Sequence, residues 1–173
     1  MFMQDSDKGQ DKNKEKRKSE GKPKDIHEDP QKTILIVDDD VALAEVYRAR
    51  LEVEGYKVVI QYDGEEALRW LSGSRADLII MDCWLPKFGG LSVLETLNEG
   101  KPKSYKTPVV MVSGLDRPEY KNKAEELGAA QYLVKSSASI SDMIDAVEDG
   151  LSSGSGHNKK ERVATRAARV ATA

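Results

Sequence analysis

Five short apolar runs alternate with longer, more polar segments between residues 33 and 151. The runs cover residues 34–37, 58–60, 78–81, 109–112 and 132–134. Three of them are apolar at consecutive positions, which is typical of strands buried on both faces of a parallel sheet. The pattern therefore predicts five strands in a sheet whose two faces are both covered.

The segments between the runs have helical spacing. In the last segment one apolar stripe is formed by Ile140, Met143, Ile144, Val147 and Leu151. Pairs typical of helix starts are Ser139 with Asp142, Asp63 with Glu66, and Asp116 with Glu119. Asp40, which follows the first strand, is expected to cap the first helix. Glycines typical of helix ends are Gly55, Gly73, Gly100, Gly128 and Gly150. Each strand is therefore predicted to be followed by a helix.

This alternation predicts an α/β fold over residues 33–151. A strand–helix unit repeated five times gives a doubly wound parallel sheet with right-handed connections and helices on both faces. The common order for five strands is 2-1-3-4-5, the flavodoxin-like arrangement, in which ligands bind where the order reverses between strands 1 and 3.

The two ends of the chain differ from this middle part in composition and charge. Residues 1–32 are rich in Lys, Asp, Glu, Gln and Gly, which predicts a disordered extension. Residues 33–151 carry 13 Lys/Arg against 21 Asp/Glu, so an acidic domain is predicted there. Residues 152–173 carry five against one, and are predicted to be a flexible linker and a basic tail. An acidic domain is a poor nucleic-acid binder, and the tail without aromatic residues favours only weak, salt-sensitive binding.

Targeting and redox features favour a cytoplasmic protein. The N-terminal segment has no apolar signal-peptide region, and no apolar run approaches the length of about 20 residues that spans a bilayer. Cys83 is the single cysteine, which excludes an intrachain disulfide and is expected to be a packing residue rather than a nucleophile.

Polar residues follow four of the predicted strands. Asp38, Asp39 and Asp40 follow the first, Asp82 the third, Ser113 the fourth and Lys135 the fifth. Because parallel strands end at the same edge of a sheet, these side chains are expected to lie near one another. Crowded carboxylates favour a hard divalent cation such as Mg²⁺ or Mn²⁺. A cation, a lysine and a hydroxyl around one carboxylate predict a phosphoryl-transfer site.

Four stretches resemble the receiver domain of two-component response regulators. They are Ile-Leu-Ile-Val-Asp-Asp-Asp (34–40), Asp-Leu-Ile-Ile-Met-Asp-Cys-Trp-Leu-Pro (77–86), Val-Val-Met-Val-Ser-Gly (109–114) and Tyr-Leu-Val-Lys (132–135). The stretches occur in the family's order, and the resemblance covers residues 33–151.

The resemblance implies a role for each of the site residues. Asp82 is implied as the phosphoacceptor. The implied Mg²⁺ ligands are Asp38, Asp39, Asp82 and the backbone carbonyl of Trp84. Ser113 is implied as the switch hydroxyl, Lys135 as a phosphoryl contact and Tyr132 as an aromatic switch. The surface that partner proteins would recognise is implied to comprise helix 4, strand 5 and helix 5, roughly residues 116–151. The resemblance also implies that the protein accepts a phosphoryl group and is not a dedicated turnover enzyme.

Two positions depart from the family pattern. Ser136 stands where the family usually has a proline after the lysine, and Gly89 stands where an acid is common. The first departure affects the expected position of Lys135, and the second leaves a Gly89-Gly90 pair that is expected to loosen the start of the third helix.

Three functions compete at this point. The first is a stand-alone response regulator with a sensor histidine kinase or histidine phosphotransfer protein as donor, and a downstream protein as target. The second is a docking module that works without phosphorylation, although such pseudo-receivers typically lack one of the acids or the lysine. The third is a metal-dependent phosphohydrolase. Enzymes resembling the haloacid dehalogenase group need a second Asp two residues after the nucleophile, where this chain has Trp84.

Overall fold

The computed structural model describes residues 31–99 and 107–153, in which strands and helices alternate. The strands are β1 (Thr33–Val37), β2 (Lys57–Gln61), β3 (Leu78–Asp82), β4 (Val109–Ser113) and β5 (Gln131–Val134). The helices are α1 (Val41–Val53), α2 (Gly64–Gly73), α3 (Gly90–Asn98), α4 (Pro118–Glu126) and α5 (Ile140–Ser153). Each predicted strand is present, and each grows by one or two residues at its ends.

The five strands form one parallel sheet in the order β2-β1-β3-β4-β5. β1 therefore lies between β2 and β3, and its residue Ile36 is aligned with both Ile60 and Ile80. This order confirms the predicted doubly wound, flavodoxin-like topology. It also places the ends of β1 and β3 side by side, at the point where the strand order reverses.

Two apolar cores lie on opposite faces of the sheet. Alternate residues of β1 and β3, such as Ile34 and Ile80, join one core with α1 and α5. Their neighbours, such as Leu35 and Met81, join the other core with α2, α3 and α4. Consecutive apolar positions in β1 and β3 thus serve both faces, as the unbroken apolar runs predicted.

Helix starts agree with the predicted capping residues in three of the helices. Asp40 accepts the Leu43 N–H at the start of α1. Asp63 accepts the Glu66 N–H at α2, and Ser139 with Asp142 exchanges hydrogen bonds at α5. The prediction for Asp116 is wrong, since α4 is capped by the backbone of Arg117 without a side-chain bond. The predicted end at Gly150 is also wrong, because α5 continues to Ser153.

The predictions for the two ends of the chain lie largely outside this structure. The extension at residues 1–30 and the tail at residues 154–173 are not among the described residues, so their predicted disorder and flexibility stay predictions. Among the helices that are described, none has the length and apolar character to cross a bilayer.

Candidate functional site

Three carboxylates meet where β1 and β3 end. Asp38 follows β1 directly, Asp39 is the next residue, and Asp82 is the last residue of β3. One oxygen from each of the three lies within 4.8 Å of the others. Asp38 and Asp82 are buried, whereas Asp39 is exposed. The carboxyl edge of the sheet therefore gathers the acids that the sequence placed there, and one side of the cluster is open to solvent.

Lys135, which directly follows β5, connects two of these acids. Its Nζ lies 2.8 Å from an oxygen of Asp38 and 2.5 Å from an oxygen of Asp82. Burial alone would lower the pKa of Lys135, but the hydrogen bonds to both acids raise it above its usual value. The ammonium group is therefore a fixed positive charge within the cluster.

Backbone N–H groups hold the other oxygens of the same two acids. The Asp40 N–H donates to Asp38 Oδ1 at 3.0 Å, and the Trp84 N–H donates to Asp82 Oδ1 at 2.9 Å. Burial raises the pKa of Asp38, and its hydrogen bonds to Lys135 and the Asp40 N–H offset this only in part. Both buried carboxylates are thus fixed in orientation, and the burial of Asp38 is a reason for it to favour a cation as neighbour.

Ser113 and Tyr132 lie on the next two strands and meet at Leu115. Ser113 is fully buried at the end of β4, and its hydroxyl accepts the Leu115 N–H at 3.2 Å. The half-buried Tyr132 donates its hydroxyl to the Leu115 carbonyl at 3.2 Å. The Ser113 carbonyl in turn accepts the Lys135 N–H at 2.7 Å. The two predicted switch residues therefore share one loop, between β4 and α4.

Trp84 lies at the mouth of the site. Its side chain is 51% exposed, and its ring contacts Tyr120 of α4 with centroids 5.2 Å apart and planes inclined by 67°. The Trp84 backbone is bound to Asp82 through its N–H group. The assignment of its carbonyl as a metal ligand stays a prediction.

The loop from β3 to α3 is shaped by contacts that the sequence analysis missed. Lys87 has a positive φ of 62°, and its Nζ lies 2.7 Å from Asp63, the residue that caps α2. A Cβ on Gly90 would lie 1.9 Å from the backbone oxygen of Asp82. No short sequence pattern predicts either contact. Lys87 and Asp63 follow different strands, and Gly90 and Asp82 lie at opposite ends of the loop.

Two residues next to the site take structural roles. Cys83 is buried in the core under α2, α3 and α4, and this confirms the predicted packing role. Burial, together with the neighbouring Asp82 charge, raises the pKa of the Cys83 thiol to about 11. Ser136 lies in a tight turn in which the Ser137 and Ala138 N–H groups donate to the Val134 carbonyl. Lys135 reaches both acids from this turn without the family's usual proline.

The family model for the response regulator receiver domain, which describes the sequences of that family, matches residues 34–148 of this chain. This chain belongs to that family. The match covers nearly all of the sheet and its helices, so the predicted resemblance is confirmed, and with it a role in two-component phosphorelay signalling.

Curated relatives of this receiver domain include bacterial transcriptional regulators. CpxR of Escherichia coli is 37% identical over 102 residues, which are 59% of this chain and 42% of CpxR. PhoP of Bacillus subtilis, a regulator of alkaline phosphatase synthesis, is 36% identical over 104 residues, or 60% of this chain and 42% of PhoP. The chain thus spans less than half the length of the curated relatives that it matches.

Solved structures show the same architecture. A CheY-like receiver domain protein from Methanospirillum hungatei aligns with a TM-score of 0.67 and 28% identity, over 74% of this chain and 99% of that one. The Francisella response regulator 1452 receiver domain aligns with a TM-score of 0.64 and 30% identity, over 70% and 98%. Receiver domains bind Mg²⁺ through acidic residues, and the cluster of Asp38, Asp39 and Asp82 supplies oxygen ligands of the kind that this ion prefers.

Proposed function

We propose that Asp82 accepts a phosphoryl group from a phosphohistidine on a sensor kinase or a histidine phosphotransfer protein, with Mg²⁺ held by Asp38, Asp39, Asp82 and the Trp84 carbonyl. The observation that carries the proposal is the convergence of three carboxylates with Lys135 at one open edge of the sheet. Mn²⁺ has similar ligand preferences and would serve as well.

The transfer needs one bond to form and one to break. An oxygen of the Asp82 carboxylate attacks phosphorus, the phosphorus–nitrogen bond of the phosphohistidine breaks, and the electron pair returns to the imidazole nitrogen. When bound, the divalent cation supplies charge neutralisation for the incoming phosphoryl oxygens. Lys135, already 2.5 Å from Asp82, moves its hydrogen bond to a phosphoryl oxygen. The Asp82 backbone stays fixed in β3, which orients the attacking oxygen.

The switch follows from the new charge. Phosphorylation adds about −1.5 to −2 units of charge and three strong acceptors. The Ser113 hydroxyl turns from the Leu115 N–H toward a phosphoryl oxygen. This releases the loop between β4 and α4, whose Leu115 carbonyl also accepts the hydroxyl of Tyr132. The population of active conformers then rises at the surface of α4, β5 and α5.

A downstream protein is the proposed reader of this surface. β5 is an edge strand, and a shallow groove between β5 and α5 is lined by Tyr132, Val134, Asp142, Asp145 and Ala146. Its acidic residues favour a partner with basic groups. Signalling through such contacts, or onward transfer of the phosphoryl group, is the proposed output of this domain. Action as a stand-alone regulator stays a prediction.

Incubation with acetyl phosphate and Mg²⁺, followed by intact-mass measurement, tests the proposal. We expect one added phosphoryl group on the wild-type protein, and none on Asp82→Asn or in the presence of EDTA. Asp77→Asn is the matched control. Asp77 precedes β3 and accepts the Thr33 N–H at the amino ends of the strands, opposite the site. This variant should be phosphorylated like the wild type.

A wild-type protein that gains no phosphoryl group under these conditions would contradict the proposal and favour a phosphorylation-independent docking module. Phosphorylation that persists in Asp82→Asn would place the acceptor elsewhere. Continuous release of phosphate over many turnovers would instead favour a phosphohydrolase.

A further inference from the structure

Helix α4 is weakly attached to the rest of the domain. It begins at Pro118 without a side-chain cap, and Ala124 is the buried residue among its nine positions. The remaining positions of the helix are mostly charged or polar. Few apolar contacts therefore fix its first turn, and a single additional contact there has a large influence on where that turn lies.

Tyr120 supplies such a contact in the first turn of α4. Its ring meets the ring of Trp84 in an edge-to-face arrangement, with centroids 5.2 Å apart. Aromatic pairs of this geometry stabilise beyond the area that they bury, and they do so only near the observed angles and distances. The half-buried Tyr120 thus ties the start of α4 to the loop that follows β3.

The other end of this connection is the Asp82 carboxylate. The Trp84 N–H donates to Asp82 Oδ1 at 2.9 Å, in a charge-assisted hydrogen bond. Trp84 therefore touches the proposed phosphoacceptor through its backbone and α4 through its ring. Ser113 and Tyr132 act on the loop before α4, whereas Trp84 and Tyr120 reach the helix itself from the side of β3.

We propose that Tyr120 is a positioning residue that couples α4 to the state of Asp82 through Trp84. In the unphosphorylated protein the contact between the Trp84 and Tyr120 rings holds the first turn of α4 in the position that the structure shows. Phosphorylation converts the Asp82 carboxylate into an acyl phosphate, which weakens its charge-assisted bond to the Trp84 N–H and places three phosphoryl oxygens beside residue 84. The exposed Trp84 side chain is displaced by these oxygens, its edge-to-face contact with Tyr120 is lost, and α4 is released. This inference rests on the proposed function.

A contact made only in the resting state opposes activation. Removing it raises the population of the conformer that accepts the phosphoryl group, since the equilibrium shifts by the free energy that the contact supplied. For an aromatic pair this corresponds to about a two- to tenfold change. Tyr120→Ala should therefore gain a phosphoryl group from acetyl phosphate about two- to tenfold faster than the wild type.

The test compares wild type, Tyr120→Ala and Tyr120→Phe as full chains with Mg²⁺ and acetyl phosphate. Phosphorylation rates are measured by intact mass, and hydrogen exchange of Pro118–Glu126 by mass spectrometry. In the wild type, α4 should exchange faster after phosphorylation. In Tyr120→Ala it should exchange fast beforehand, with little further change. Tyr120→Phe keeps the ring and should behave like the wild type.

Trp84→Ala removes the same contact from the other side and serves as the second variant. Its α4 should also exchange fast without phosphorylation, and combining it with Tyr120→Ala should add nothing to that exchange. A merely structural role of Tyr120 would speed exchange but leave the phosphorylation rate unchanged.

The two possible failures are distinguishable. If the wild type gains a phosphoryl group but Tyr120→Ala matches it in rate and in exchange, the coupling is overturned and the proposed function stands. If Tyr120→Phe behaves like Tyr120→Ala, the ring contact is not the link. If the wild type gains no phosphoryl group at all, the proposed function and the coupling both fall.

Discussion

Gly90 is the residue at which the shape of the site allows least change. It begins α3, and a Cβ there would lie 1.9 Å from the backbone oxygen of Asp82. No side chain fits at that distance, so the start of α3 presses directly against the end of β3. The sequence suggested only that Gly89 and Gly90 loosen the helix start, whereas in the structure Gly90 permits a close approach that sets the place of Asp82.

Gly90→Ala should therefore lower both stability and phosphorylation. We expect a loss of about 1–3 kcal/mol in the free energy of unfolding, because the backbone of Asp82 must move to admit the methyl group. Urea denaturation followed by circular dichroism measures the first effect, and intact mass after acetyl phosphate measures the second.

Gly73→Ala is the matched control for this substitution. A Cβ on Gly73 has nothing within 4 Å, and the residue ends α2 away from the site. Alanine there should leave stability unchanged or improve it by up to about 1 kcal/mol. Equal losses in the two variants would show that the close approach to Asp82 is not what makes Gly90 necessary.

At the scale of the elements, local signals in the sequence set the starts of three helices. Asp40, Asp63 and Ser139 each accept a backbone N–H three residues ahead, as their sequence neighbourhood predicted. α4 differs, since Asp116 does not cap it and its first turn depends on Tyr120.

The reciprocal bonds between Ser139 and Asp142 should be measurable in the stability of α5. The Ser139 hydroxyl and N–H donate to the Asp142 carboxylate at 2.7 Å, and the Asp142 N–H donates back to the hydroxyl. Ser139→Ala should cost about 1 kcal/mol at neutral pH, the usual loss for a helix cap. Urea denaturation measures it.

The pH dependence of this cap has a definite sign. The hydrogen bonds from Ser139 hold the pKa of Asp142 below its ordinary value of 3.8. A lowered pKa stabilises the folded state above 3.8, and this contribution is lost as the pH falls through the lowered value. Asp142→Asn should be less stable than the wild type at neutral pH, and the difference in the free energy of unfolding should narrow as the pH falls below 3.8. A gap that widens on acidification would contradict this reading.

At the scale of the whole molecule, the site joins the two strands at the centre of the sheet. Asp38 belongs to the end of β1 and Asp82 to the end of β3, and both strands contribute to both cores. A cation held between them binds the folded state and finds no equivalent site in the unfolded chain. Metal binding at this edge is therefore linked to the stability of the entire domain.

Mg²⁺ should raise the thermal midpoint of the wild-type protein. At a concentration about ten times the dissociation constant, the ion should add about 1.4 kcal/mol to the free energy of unfolding. Differential scanning calorimetry with Mg²⁺ and with EDTA measures the shift. The shift should be lost in Asp38→Asn and kept in Asp77→Asn, whose carboxylate lies at the other edge of the sheet. A shift of the same size in both variants would mean that the ion binds elsewhere.

The sequence by itself determined the fold and the main members of the site. Unbroken apolar runs specified a sheet covered on both faces, and parallel strands bring Asp38, Asp39, Asp82 and Lys135 to one edge whatever the details of packing. These features follow from the apolar runs and from the alternation of strands and helices, and both patterns are visible along the sequence.

Only the tertiary structure decided how the loops around that edge are held. The ion pair of Lys87 with Asp63, the close approach of Gly90 to Asp82 and the ring contact of Trp84 with Tyr120 each join residues from different segments. Such contacts depend on side-chain direction and on distances of a few ångströms between elements. No pattern along a single stretch of sequence specifies those quantities, because they are fixed only when the helices pack against the sheet.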